Sequence, residues 1–337
     1  MLRIHFTDAD LVRTRIASAP HPLWEICASL YRLQSRRGRW AYADWHRAVR
    51  SRLHSAGFGR TLRALLLPLV PRATYFPDFL TPPEAAQGLD AGLEAILATP
   101  RQRILDEVDM LDRAGGAPAW APRLADTDLR AELVQAIRAY YDLAIAPYGD
   151  RVQARIDAER SVRARAVLDH GAEGVLQNLG PTFEWRRPVL RTAYPEDRDF
   201  PLDGRGLQLI PSYFCWGSPV SYGDSALEPV LLYALHHEPA KLPGDFGSGA
   251  PLAALLGRTR AAVLRSAALG ATTGELARAA GVSAPSASRH SAALRDAGLL
   301  VSRRHAESVL HTLTPLGAAL LRADAPKNRT APPEIHR

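Results

Sequence analysis

The stretch 274–300, "GELARAAGVSAPSASRHSAALRDAGLL", can fold in few ways. Gly281 stops one helical period and Gly298 stops a second, with only Val282 and Ser283 between the first stop and the restart at "APSASRH". Thr272 or Thr273 can cap the first helix, and Glu275 falls in its first turn, facing the positive end of the helix dipole. Ser283 stands where the second helix needs a cap, and Pro285 suits its first turn. Two short helices joined this tightly, with Val282 directed inward, make a helix-turn-helix. Its inner set is Leu276, Ala280, Val282, Ala287 and Leu294, which leaves Ala284, Ser286, Ser288 and Arg289 on the outer side. Those side chains are small enough to let the helix approach DNA, and Arg289 can reach guanine edges or phosphate. A solvated helical hairpin is the competing reading.

The flanking sequence extends the pattern. Before it, "LAALLGRTRAAVLRSAAL" places apolar residues 252, 255, 256, 263, 264 and 269 on one face and reads as a single entry helix. After it, "LLVSRRHAESVLHTL" alternates as a hairpin around "HAES", before Pro315 opens a last helix. A hairpin in that place is a wing, with Arg303, Arg304 and His305 near its tip available to the DNA backbone or minor groove. Thr273 joins these as a candidate contact at the start of the first helix.

From entry helix to last helix, roughly residues 255–322, the chain resembles the ArsR-like winged helix-turn-helix transcriptional regulators. The resemblance is carried by "ELARAAGVSAPSASRHSAALRDAGLLVSRR", in which Ser283, Ser288, His290, Leu294, Gly298 and Leu299 match the family pattern. Two positions depart from it: Ser291 stands where the family has leucine, and the wing tip lacks a glycine. The cysteine pair with which many such proteins sense metals is also missing, since Leu276–Ala280 holds no cysteine, and "TPLGAALLRADAP" offers no counterpart to the family's other metal site. The resemblance implies a homodimer on double-stranded DNA. More loosely, "GRGLQLIPSYFCWGSPV" and "PVLLYAL" resemble an uncharacterised domain that precedes such winged helices in high-GC bacterial regulators.

Charge divides the chain in the same place. Residues 258–322 hold nine arginines against Glu275, Asp296 and Glu307, a net of +6, whereas residues 1–257 balance 30 basic with 30 acidic side chains. Concentrated positive charge is the electrostatic footprint of a nucleic-acid-binding module, although a solvated helical face has the same appearance.

Upstream, apolar residues recur with helical spacing in 22–35, 87–97, 101–113, 125–145 and 151–179. The two prolines of "TPPEAA" are read as a helix start, 2–6 alternates like a strand, and 188–194, 205–212 and 229–235 read as short strands of a small sheet. The expected fold is α+β, mostly α: a large N-terminal helical domain with a small sheet (1–241), a linker (242–251), a C-terminal winged helix-turn-helix domain (252–322) and a disordered tail (323–337).

Candidate sites in the first part are few. Cys27 and Cys215 read as buried small hydrophobes. His236, His237 and Glu238 are ligand-type residues, but strand neighbours point to opposite faces and cannot easily grip one ion. Phe183, Trp185, Tyr194, Phe200, Tyr213, Phe214, Trp216 and Tyr222 either line an effector pocket or are core. The sequence contains no G-x-S-x-G, P-loop, H-E-x-x-H or dinucleotide fingerprint.

The combined expectation is a non-enzymatic, cytoplasmic transcriptional regulator of the repressor type, with no cofactor, no bound metal and no membrane partner. Its recognition helix spans about 284–297 and its wing about 301–313, and an unidentified small-molecule effector is admitted. The alternative is an enzyme or protein-interaction scaffold whose winged helix mediates dimerisation or protein contacts.

Overall fold

Helical and strand segments follow one another in the order the periodicities set. The first unit contains β1 (Leu2–His5), α1 (Asp8–Arg13), β2 (Arg15–Ile16), α2 (Pro22–Gln34), α3 (Ala43–Ser55), the single turn α4 (Gly59–Thr61), α5 (Leu89–Ala98), α6 (Arg101–Gly115), α7 (Thr127–Ala144) and α8 (Gly149–Gln177). Five strands follow: β3 (Phe183–Arg186), β4 (Val189–Thr192), β5 (Arg198–Pro201), β6 (Gln208–Ser212) and β7 (Val230–Ala234). The second unit contains α9 (Ala250–Leu256), α10 (Arg258–Ser266), β8 (Ala271–Thr272), α11 (Thr273–Ala280), α12 (Ala284–Asp296), β9 (Leu300–His305), β10 (Ser308–Leu313) and α13 (Pro315–Asp324). This is a computed structural model describing residues 1–72, 74–224, 226–235, 250–305 and 308–324. The two units, Met1–His237 and Glu238–Arg337, separate by their internal contacts. The fold is mixed α+β and predominantly helical.

In the first unit the strands form two sheets where the sequence suggested one. The first has the order β3-β4-β1-β5, with β1 antiparallel to β4 and parallel to β5. The second has the order β2-β6-β7 and is parallel throughout. β7 reads "VLLYA" with four consecutive buried residues, the near-continuous apolar run of a parallel strand covered on both faces. A large helical core gathers Trp45, Val49, Phe79, Leu133 and Tyr140, and a second core joins Leu2, Ile4, Leu190, Phe200 and Leu209 to Val175 and Leu176 of α8.

Buried carboxylates fasten distant segments here. Asp10 accepts from the Thr7 amide at 2.7 Å and the Gly206 amide at 2.8 Å. Glu25 on α2 accepts from Ser212 Oγ at 3.0 Å and from the amides of Tyr213 at 2.8 Å and Phe214 at 3.1 Å, closing the end of β6. Burial nevertheless pushes the Glu25 carboxyl up to about 7, against the pull of those three donors.

Several expectations need correction. α3 lies outside the segments in which helical spacing is read from the sequence, and β5 outside those read as strands. The prolines of "TPPEAA" open a 3-10 turn, Pro83–Gln87, and α5 starts only after Gly88. The supposed single entry helix is two, because Gly257 at φ +80° lies outside the right-handed region and separates α9 from α10. The eight aromatic residues do not form one cluster. Tyr213, Phe214 and Trp216 join the helical core, Phe183, Trp185, Tyr194 and Phe200 the second core, and Tyr222 packs with Trp24. Both cysteines are buried and free. His236, His237, Glu238, linker positions 242–249, wing-tip residues 306 and 307 and tail residues 325–337 fall outside the described residues.

Candidate nucleic-acid interface

α11 is fixed at its start by a reciprocal cap. Glu275 N–H donates to Thr272 Oγ1 at 3.3 Å, and Glu275 Oε2 accepts from the Thr272 amide at 2.9 Å. Such a cap stabilises a helix by about 1 kcal/mol. At the other end Gly281 takes the left-handed conformation (φ +65°, ψ 35°). Its amide bonds Arg278 O and the Val282 amide bonds Ala277 O, the paired closure that turns the chain sharply out of a helix. α12 ends in the same way: Gly298 (φ +70°) bonds Arg295 O while Leu299 bonds Leu294 O. The two stops turn the chain back so that Val282 and Leu299 pack against the same core.

The inner set of this pair is as its periodicity requires. Leu276, Ala287 and Leu294 are buried, with Ala280 and Val282 packed against them. Ser291, the departure from the leucine pattern, is 1% exposed and its hydroxyl has no hydrogen-bond partner among the described residues.

On the outer side, Ala284, Ser288 and Arg289 are exposed and Ser286 is half-buried. Ser283 has the backbone of a cap, yet its hydroxyl makes no bond to the helix backbone. One of the two amides a cap normally serves is missing, because Pro285 has no N–H. The Ser283 hydroxyl donates instead to Ser286 Oγ at 3.3 Å, and Arg289 Nη2 donates to the same oxygen at 3.2 Å. The other arginine of α12, Arg295, is paired with Asp296 at 3.0 Å.

β9 and β10 form a hairpin, with β8 added on the far side of β10. The cross-strand register places Leu300, Ser302 and Arg304 on one face and Val301 and Arg303 on the other. Both arginines are exposed. They therefore leave the hairpin in opposite directions, a placement that spacing of adjacent residues in a strand dictates. His305 lies at the end of β9.

Thr273 does not lie free on this surface. Its Oγ1 is 2.9 Å from Nε2 of His311, a residue the sequence reading passed over. His311 is 5% exposed, and its Nδ1 is 2.8 Å from Ser302 Oγ, so one imidazole ties the first residue of α11 to the hairpin. The only hint in the sequence was a histidine at an inward position of an alternating strand. Burial, and after it the charge of Arg295, hold the ring below its usual pKa and keep it neutral near pH 7.

Two open clefts in the first unit are walled mainly by charged residues, and of the eight aromatic candidates Phe200 alone lines either, in the first. One of about 650 Å³ is lined by Arg198, Asp199, Asp203 and Arg205, and another of about 510 Å³ by Asp78, Arg103, Asp106, Glu107 and Asp224. Among the described residues no group of three or more His, Cys, Asp or Glu side chains is placed to hold a metal ion, and no helix is long and apolar enough to cross a membrane. No protein-family model, curated protein or solved structure matches the chain.

Proposed function

We propose that the second unit is a winged helix-turn-helix that binds double-stranded DNA, and that the protein is a cytoplasmic transcriptional regulator acting as a repressor. One observation carries the reading. Arg289 on the outer face of α12 has no carboxylate partner among the described residues, and exposed Arg303 and Arg304 extend from the adjoining hairpin, within the segment that holds nearly all the net charge. α12 is then the helix that enters the major groove, and β9–β10 the wing along the backbone. The first unit serves sensing or dimerisation. A homodimer would span half-sites about one DNA turn apart, and a small-molecule effector would act by favouring one spacing of the two recognition helices.

The test is binding of the purified protein to duplex DNA from upstream of its own gene, against random duplex of equal length. Preference for the upstream duplex by tenfold or more supports the regulator. A second reading, a protein-contact module, rests on Leu255 and Leu316, which are 69% and 59% exposed on the same unit. It predicts no duplex preference and no steep dependence on salt.

A further inference from the structure

On the reading of the second unit as a DNA-binding domain, Arg289 has two roles open to it, a point charge on phosphate or a fork on a base edge. We infer that Arg289 selects a guanine in the major groove and that Ser286 is the positioning residue that aims it. Ser283, Ser286 and Arg289 lie three residues apart along one ridge of α12, and the serine in the middle accepts from both neighbours, at 3.3 Å and 3.2 Å. A hydroxyl oxygen has two lone pairs, so both bonds can be held together. The guanidinium is thereby drawn back over the N-terminal half of the helix, the part that reaches base edges in helix-turn-helix complexes. Ser286 takes one of the two N–H bonds of Nη2, and the other Nη2 N–H stays on the opposite edge of the fork, which presents two parallel donors to guanine O6 and N7.

The surroundings favour the same assignment. Asp296 holds Arg295 at 3.0 Å, which leaves Arg289 as the long cationic side chain of α12 with no carboxylate partner among the described residues. Its exposed neighbours Ala284, Pro285 and Ser288 are short and let the helix seat deeply. A guanidinium held before binding also loses less freedom on contact, which favours a directional pair over a mobile charge.

The experiment compares wild type, Arg289→Ala, Arg289→Lys, Ser286→Ala and Ser286→Thr by competition binding over duplexes in which each base pair of the preferred site is changed in turn, at one salt concentration. Far-UV circular dichroism verifies that every variant is folded. The expected result is that Arg289→Ala and Arg289→Lys both lose discrimination at a single G·C pair, by roughly 5- to 150-fold. Ser286→Ala loses part of the discrimination at that same pair, Ser286→Thr restores it, and affinity for random duplex changes by less than about threefold in the serine variants. Equal weakening on every duplex by Arg289→Ala, with Arg289→Lys like wild type, would overturn the inference and make the residue a phosphate contact. Ser286→Ala behaving as wild type would remove its positioning role. Wild type with no preferred duplex would overturn the regulator reading itself, and this inference with it.

Discussion

His311 Nε2 lies 2.9 Å from Thr273 Oγ1 across 38 residues of sequence, and the opposite ring nitrogen meets Ser302. Hydroxyls can donate or accept, so either neutral tautomer completes the bridge. Replacing the ring by His311→Phe keeps most of the volume and removes both bonds, and the expected loss is about 1–3 kcal/mol from the second unit. All six tryptophans and ten tyrosines precede residue 238, so tryptophan fluorescence reports the first unit alone while far-UV circular dichroism reports both. A urea transition that shifts in dichroism but not in fluorescence is the predicted result, and coincident, unshifted transitions would refute it.

The same ring makes the second unit acid-sensitive. Its folded pKa lies below the usual 6.5, so the unfolded chain takes up the proton first as pH falls. The His311 contribution is present above pH 6.5 and is lost progressively below it. Dichroism-monitored stability at pH 7 and pH 5 should show this slope in wild type and less of it in His311→Phe.

Glu25 gives the first unit a slope of opposite sign. Its folded pKa is raised from 4.5 to about 7, so the native state holds a proton that the unfolded chain has released across that window. Stability associated with Glu25 is present below pH 4.5 and falls as pH rises toward 7, by an amount on the order of 2–3 kcal/mol. Glu25→Gln removes this slope while losing an acceptor for one backbone amide, so it is less stable than wild type at pH 5 and closer to it at pH 8. Fluorescence-monitored urea unfolding at the two values reads the difference.

Ser291→Ala should stabilise the second unit. The hydroxyl is buried without a partner, and its removal relieves a desolvation cost of about 1 kcal/mol. Ser291→Leu, which introduces the residue of the ArsR-like pattern at that position, overpacks a site already 1% exposed and is expected to cost about 1–3 kcal/mol. Opposite shifts in the dichroism midpoint check both.

Gly206 at φ +78° carries the amide that meets Asp10, and a Cβ there would stand 2.6 Å from Arg13 Cβ and 2.8 Å from the Arg13 backbone. Gly206→Ala should cost at least about 2 kcal/mol, visible in the fluorescence transition.

What could be read in advance follows the range of the interactions. Gly281 and Gly298 act within one turn, so the α11–α12 pair was visible from its stops. α3 escaped although Trp45, Val49 and Leu53 recur at four-residue spacing, because Arg47, Arg50, Arg52 and His54 on its other faces leave the segment poor in apolar residues. β5 escaped because Phe200 is its one buried side chain, amid residues that favour turns. Contacts such as Glu25 with Ser212 or Thr273 with His311 join positions with no common local pattern. The aromatic residues of 183–222 are near in sequence, yet the two sheets and the helical layer divide them among separate cores.

The central claim is most directly tested by the salt dependence of duplex binding, measured for wild type and for the Arg303→Ala/Arg304→Ala double variant. Each phosphate contact contributes about 0.9 to the slope of log affinity against log salt. The account predicts a steep slope for wild type and one shallower by about 1–2 for the double variant, with the preferred sequence unchanged. Identical slopes for the two proteins, or a flat slope for both, would contradict it.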